Sequence, residues 1–393
     1  MVCRVPGVDK PKQDSGRAFA EQILPVEELG GTEMTHYRIG ILKGDDIGLE
    51  VVPVAVQVIK AAVKRYPSIF IDWSDLPIGY PSYVARGETL PEATLQVLYK
   101  LDGWILGPIG HMAYPKNDPK AINPHPILRR QFDLVSNIRP TKSFASLPCL
   151  HQNVDLVIIR ENNEGFQPDR NMYKGVGEFM PTPDMALSVR VITRRNSALV
   201  AKSAFELARQ RNRQRKVTAV HKNTVFKLTC GLFIDTCREV AKEYGDIEFE
   251  TLSVDTFAMH LVMRPQNYDV VVVTNMFGDI LTDEAAGLVG GLGMAPGLCA
   301  GPKYAMAQAT HGSAPDIAGK DIANPYAMVM SGQMLLSWLG NKKQDPDAVK
   351  AAHDIQVAVE KVLEERKVVT PDLGGKGSTS GMGNAICEAL GQI

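Results

Sequence analysis

Short apolar runs alternate with amphipathic stretches from Tyr37 to the end of the chain. YRIGIL, from Tyr37, reads as a strand, GDDIG as a glycine-punctuated loop, and Leu49–Tyr66 as a helix with an apolar stripe. Gly103–Gly107, Val154–Ile159 and Val217–Val220 read as further short strands. Val270–Val273 is an unbroken β-branched run, the mark of a strand buried on both faces. Over Asn123–Pro140, a helix would carry Arg129 and Arg139 on roughly one side, about three turns apart, and Pro140 would end it. Tyr326–Leu339 and Asp345–Arg366 read as two closing helices. Strands alternating with helices predict an α/β/α architecture. Residues 1–36 show no such pattern and read as a disordered tail, within which Met34 is a candidate alternative start.

Composition narrows the function classes. The 393 residues, 45% hydrophobic and 22% charged with net charge −1, suit a globular chain of two domains or one interleaved unit. The densest basic cluster, Arg209–Lys216, reads as a solvated helix end rather than a nucleic-acid stripe. Cys3, Cys149, Cys230, Cys237, Cys299 and Cys387 have no paired spacing, which argues against disulfides or a zinc site and for a reducing, cytoplasmic setting. No apolar run approaches the ~20 residues of a membrane span.

Candidate chemistry gathers at strand ends. After Val273 the chain turns through Asn275–Gly278 into a helix bearing Asp279 and Asp283. Their spacing of four puts both carboxylates on one face, where a Mg2+ ion could sit between them. An isolated pair of this kind is more often an ordinary solvated face. Arg160 ends another strand; with Arg129 and Arg139 it would suit a ligand with several carboxylates, although each alone reads more readily as a surface ion pair. Lys222 follows a strand and is a candidate general base if desolvated. Asp255 stands among apolar residues, where a lone carboxylate would be costly. The loop His311–Pro325 holds one central acid, Asp316, able to take the ribose hydroxyls of NAD and to repel the extra phosphate of NADP. There is no G-x-G-x-x-G fingerprint, so a Rossmann site is not expected.

NMFGDILTDEAAGLVGGLGMAP, HGSAPDIAGKDIANP, the Leu128–Pro140 segment, IRENNEG and VHKN together resemble the isocitrate/3-isopropylmalate dehydrogenase family, in order from Ile39 to about Gly383. The resemblance implies a two-domain α/β/α fold distinct from the Rossmann type: a large domain from 37–134 and 290–393, and a small domain from 135–289. It implies a homodimer with shared active sites. It further implies NAD- and Mg2+- or Mn2+-dependent oxidative decarboxylation of a 3-substituted (R)-malate: isocitrate, 3-isopropylmalate, tartrate or D-malate. By this likeness Arg129, Arg139 and Arg160 bind substrate, with Asn123 and His125 at the selecting positions. Asp279, Asp283 and a partner-supplied Asp255 hold the metal, and a partner-supplied Lys222 is the base. His311, Gly312, Ser313, Ala314, Asp316, Ile317 and Asn324 bind the cofactor. NADP-dependent relatives carry Lys-Tyr where Asp316-Ile317 stands, so NAD is expected.

Three departures accompany the likeness. The family's proton-donating tyrosine is replaced by Gln167, with Tyr173 six residues on as a candidate substitute. Thr224 stands where an asparagine is usual. Before Arg129 the chain reads Asn123, Pro124, His125, Pro126, without the serine or leucine of the isocitrate or isopropylmalate types. His125 favours a carboxylate or hydroxyl substituent. Gln167 and Thr224 also raise an alternative, a catalytically weak regulatory or binding subunit; retention of the acids, arginines and Lys222 argues against it.

Overall fold

Val270–Val273 is a strand whose alternate side chains serve two cores. Val270 and Val272 pack with Val200, Phe205 and Phe233 on one face; Val271 and Val273 pack with Phe257, Leu261 and Leu281 on the other. Full burial of each such side chain stabilises by about 1.5–3 kcal/mol, so a β-branched run with no polar member is bound to the middle of a sheet. The computed structural model describes residues 34–167 and 171–393. The tail expected over 1–36 lies outside the described residues except for Met34–His36, and there the strand already begins at Thr35.

In chain order the elements are β1 (Thr35–Leu42), α1 (Gly48–Val63), β2 (Ile69–Asp75), α2 (Gly79–Arg86), α3 (Glu92–Leu98), β3 (Gly103–Leu106), α4 (Pro124–Gln131), β4 (Ser136–Lys142) and β5 (Asp155–Glu161). Then come β6 (Glu178–Thr182), β7 (Met185–Ser188), α5 (Arg194–Arg211), β8 (Lys216–His221), α6 (Thr229–Ala241), β9 (Glu248–Ser253) and α7 (Val254–Met263). The chain ends with β10 (Val270–Val273), α8 (Asn275–Val289), β11 (Leu298–Ala300), β12 (Ala305–Ala307), α9 (Tyr326–Lys343), α10 (Pro346–Glu365) and α11 (Thr379–Leu390). Ten strands form one sheet in the order β2-β1-β3-β12-β11-β4-β5-β10-β8-β9. The pairings are parallel except at β12/β11, β11/β4 and β4/β5. Two parallel blocks therefore run in opposite directions, and their carboxyl ends arrive at the central pair β11–β4 from opposite sides. Ligands of open α/β sheets sit beyond such ends, where the topology switches.

The α/β/α architecture is as expected, with local corrections. Arg129 and Arg139 do not share a helix: Arg129 is in α4 and Arg139 in β4. Pro140 does not end an element but lies within β4, opposite Val157. β11 pairs only with Ser136–Ile138, so at Pro140 that side of β4 is an open edge and the missing N–H breaks no ladder. A third closing helix, α11, was not expected; its Met382 and Ile386 join the core of α1, α9 and α10.

Candidate active site

Three guanidiniums converge on the sheet's centre. Arg160 leaves the end of β5 and is 5% exposed. Its Nη2 donates to Asn275 Oδ1 at 2.8 Å and its Nη1 to Asp279. Arg139, reaching up from β4, donates to Thr282 Oγ1 at 2.5 Å and to Asn137 Oδ1 at 3.3 Å. Arg129, from α4, donates to Gln308 Oε1 at 3.2 Å. Burial, with Arg139 close by, pulls Arg160 down to about 9, and burial also lowers Arg139. These cations are held in a setting that disfavours charge, and an anionic ligand would relieve it. The Nε atoms of Arg129 and Arg160, Nδ2 of Asn275 and Nε2 of His311 are buried without a partner among the described residues. Unused buried donors and acceptors are costly unless a ligand takes them.

Arg129, Arg139, Arg160 and His311 line a cavity of about 360 Å³ together with Asn123, His125, Gln167, Asp279, Gln308 and Gly312. Larger hollows of about 440 and 650 Å³ lie between α5 and α9 and beside α1 and α11, but neither gathers such donors. The arginine cavity is distinguished by chemistry rather than size.

Asp279 and Asp283 stand one turn apart on α8, both half exposed, with Arg139 Nη1 at 3.8 and 3.6 Å. Burial raises Asp283. Among the described residues no three His, Cys, Asp or Glu side chains form a metal-sized group. Two carboxylates on one face nevertheless fit a hard divalent ion that takes its other ligands from water and substrate oxygens. Gly278 lets α8 lie this close, since a Cβ there would be 2.7 Å from Cβ and Cγ of Arg160.

The loop after β12 brings His311 and Gly312 to the cavity. Burial lowers the pKa of His311. Ser313 is buried and its carbonyl accepts from Ile47 N–H, tying the loop to the turn after β1. Ala314 holds a left-handed φ of +45°, an unusual conformation for a residue with a side chain. Asp316 is exposed and Ile317 packs against the core. The orphaned His311 nitrogen and the exposed carboxylate at Asp316 suit a nucleotide laid along this loop. Asn324 does not offer a free amide: Nδ2 donates to Asp372 at 2.9 Å and Oδ1 accepts from Tyr326 N–H.

The sequence profile of the isocitrate/isopropylmalate dehydrogenases matches residues 38–386. The chain belongs to this family. It is 40% identical over 357 residues to the 3-isopropylmalate dehydrogenase of Methanothermobacter thermautotrophicus, covering 91% of this chain and 99% of that protein. It is 39% identical over 354 residues to the isocitrate/homoisocitrate dehydrogenase of Thermus thermophilus, covering 90% and 98%. The crystal structure of isocitrate dehydrogenase from Methylococcus capsulatus matches with a TM-score of 0.78 at 39% identity, over 90% of this chain and 99% of that one. The family is one of β-decarboxylating hydroxyacid dehydrogenases, so the chain is an oxidoreductase acting on the CH–OH group of a small carboxylate. Among the described residues no helix is long and apolar enough to cross a membrane.

Other expected residues of this dehydrogenase lie apart from the cavity. Lys222 Nζ pairs with Asp255 Oδ1 at 2.6 Å, and neither residue lines the cavity of its own chain. Asp255 is exposed rather than set among apolar side chains, because it begins α7 on the face turned to solvent. Its bonds to Lys222 and Ser253 hold its carboxyl down at about 2. Gln167 does line the cavity and donates to Asn275 Oδ1 at 3.0 Å, whereas Tyr173 is fully exposed and Thr224 is exposed. The basic cluster 209–216 is not an open stripe: Arg209 pairs with Asp246, and Arg211 with Asp155 and Asp269. Sequence reasoning missed Asn275, Thr282 and Gln308. Asn275 and Thr282 sit inside the aspartate-helix motif and could have been flagged; Gln308 carries no local signal.

Proposed function

We propose that this chain catalyses NAD-dependent, Mg2+- or Mn2+-dependent oxidative decarboxylation of an (R)-malate bearing a polar substituent at C3. One observation carries the proposal: three buried arginines, two of them with an orphaned Nε, line a cavity that Asp279 also lines, and Asp283 follows one turn on along the same helix face within 3.6 Å of Arg139. The polar-substituent preference follows from the lining, in which Asn123, His125 and Gln308 stand where an isopropyl group would want an apolar wall.

In this reading Arg129, Arg139 and Arg160 hold the substrate carboxylates by charge-assisted bonds and exclude water from them. Asp279 and Asp283, with Asp255 contributed by a second protomer, would hold the metal. His311, Gly312, Ser313, Ala314, Asp316 and Ile317 would hold NAD; with the amide of Asn324 bonded inside the protein, its contact to adenine would fall to the backbone. When bound, the metal would supply Lewis acidity and the nicotinamide a hydride acceptor. Lys222 of a second protomer takes the substrate hydroxyl proton. Departure of the β-carboxylate as CO2 leaves an electron pair at C3, which must then gain a proton. Gln167 has none to give, so water supplies it. The shared-site homodimer is supported by the absence of Lys222 and Asp255 from the lining of their own cavity and by exposed apolar side chains on β6, β7 and α7: Phe179, Met180, Leu187, Met259 and Met263. The proposed division into 37–134 plus 290–393 and 135–289 draws support from one core around α1, α9 and α10 and others around α5 to α8, although Phe144 and Leu147 of the second part join the first core.

The test is NADH formation from isocitrate, homoisocitrate, tartrate, D-malate and 3-isopropylmalate, with Mg2+ or with chelator. Turnover that requires the ion and favours a carboxylated or hydroxylated malate supports the reading. Turnover of 3-isopropylmalate alone would remove the substituent assignment, and none at all would favour a regulatory subunit.

A further inference from the structure

Within the cavity, Gln308 joins Arg129 and His125 into one hydrogen-bonded polar unit. Gln308 follows β12 directly and is buried. Its backbone is fixed, with its N–H donating to Gly297 O at 3.0 Å. A Cβ at Gly297 would stand 2.5 Å from the Gln308 carbonyl oxygen, so that approach requires glycine. The side-chain Oε1 accepts from Arg129 Nη2 at 3.2 Å and faces Cys299 Sγ at 3.8 Å. The side-chain Nε2 lies 2.7 Å from His125 Nε2. His125 and Arg129 are four residues apart on α4, so they stand on one helix face and a single amide spans both.

The chemistry of the partners removes the usual ambiguity of an amide. A guanidinium only donates, so the carbonyl oxygen must be the atom turned toward Arg129. The NH2 group then points at His125, and His125 Nε2 must be the acceptor. The ring is held in the tautomer that carries its proton on Nδ1. Turning the amide over would set donor against donor at Arg129. The same helix start is pinned from the other side, where Asn123 Oδ1 accepts from His125 N–H at 3.1 Å.

We infer that Gln308 is the positioning residue that sets substituent selectivity, by locking Arg129 and His125 into one hydrogen-bonded unit with a defined His125 tautomer. The inference rests on the proposed binding of a substituted malate in this cavity and names what selects the substituent. With Nη2 held by Gln308, the plane of the Arg129 guanidinium is fixed and its remaining N–H groups are left for other acceptors. The unit thus offers a donor edge to an oxygen-bearing substituent. A bond to a charged group is worth about 1.5–3 kcal/mol, so misplacing this edge should move discrimination by roughly ten- to a hundredfold.

The experiment uses the full-length chain with Gln308→Glu and Gln308→Met. Glutamate keeps an acceptor for Arg129 but has no proton for His125, so the ring must present N–H at Nε2. Methionine removes both bonds. The first readout is 15N NMR of the histidine rings, with the His125 signals identified by their loss in His125→Asn. We expect a protonated Nδ1 in the wild type and a protonated Nε2 in Gln308→Glu. The second readout is the ratio of kcat/KM for isocitrate over D-malate. It should shift at least tenfold in both variants, through KM rather than kcat. A residue with a merely structural part would lower both substrates in proportion and leave the tautomer alone. A wild-type proton on Nε2, or an unchanged ratio in both variants, overturns the inference. Absence of turnover on every substrate would instead sink the dehydrogenase reading, and the tautomer measurement would still decide this one.

Discussion

Gly278→Ala is a sharp probe of how the fold aims its carboxylates. The residue lies in the first turn of α8, where the helix crosses the end of β5. A methyl group there would meet Arg160 Cβ and Cγ at 2.7 Å and Val273 Cγ1 at 2.9 Å. Carbon atoms rest about 3.5–4.0 Å apart, so roughly 1 Å of retreat is needed. Arg160 cannot provide it: the contacts are at the root of the side chain, and its head is held by Asn275 and Asp279. The helix must move. Overpacking of this kind costs about 1–3 kcal/mol, offset by about 0.5–1 kcal/mol from replacing glycine within a helix. The net loss in urea unfolding should fall between about 0 and 2.5 kcal/mol. Activity should suffer more, because Asp279 is the next residue and a misplacement of ~1 Å can cost about 10²-fold. Gly287 in the same helix is the control, since nothing lies within 4 Å of its would-be Cβ. Gly287→Ala should be neutral or slightly stabilising and fully active. If the two alanine variants behave alike, the close approach of α8 to Arg160 is not what aims the site.

Other outcomes follow from single groups. Burial pushes Glu161, 2% exposed, up to about 7 from its ordinary 4.5. An acid with a raised folded pKa binds its proton more tightly when folded, so its contribution to stability is full below about pH 4.5 and is lost as pH rises through 7. Glu161→Gln should remove that component, up to about 3 kcal/mol, from the difference in unfolding free energy between pH 4.5 and pH 8; an unchanged difference would refute it. Replacing Asp316-Ile317 by Lys-Tyr should erode a preference for NAD+ over NADP+, read as the ratio of kcat/KM, because Asp316 is exposed and its replacement could pair with the 2′-phosphate. A wild type that already prefers NADP+ would contradict this.

The parts of the fold legible in the sequence were those in which one short pattern has one solution. Val270–Val273 has no polar residue to turn to water, and Asp279 and Asp283 follow it at helix spacing, so strand, turn and carboxylate face could be read together. Arg160 was likewise read at its strand end. β4 was not legible, because Ser136–Lys142 mixes Asn, Arg and Pro, and only the short reach of β11 makes proline harmless there. Asp255 was misjudged because its apolar neighbours turn inward at Phe257 and Leu261 while it faces outward beside Lys222. Gln308 shows the limit most clearly: its partners Arg129 and His125 are some 180 residues away in sequence, joined only when β12 and α4 meet over the sheet.

The central claim is that the arginine cavity and the α8 carboxylates together carry out metal-dependent oxidative decarboxylation. The most direct measurement is the ratio of 13CO2 to NADH released from isocitrate labelled at the β-carboxylate, for the wild type and for Asp279→Asn at rising Mg2+. The account predicts one CO2 per NADH in the wild type. For the Asp279→Asn variant it predicts loss of both products together at low Mg2+, with the fold intact by circular dichroism. NADH without labelled CO2, or an Asp279→Asn variant as active as the wild type at low metal, would contradict it.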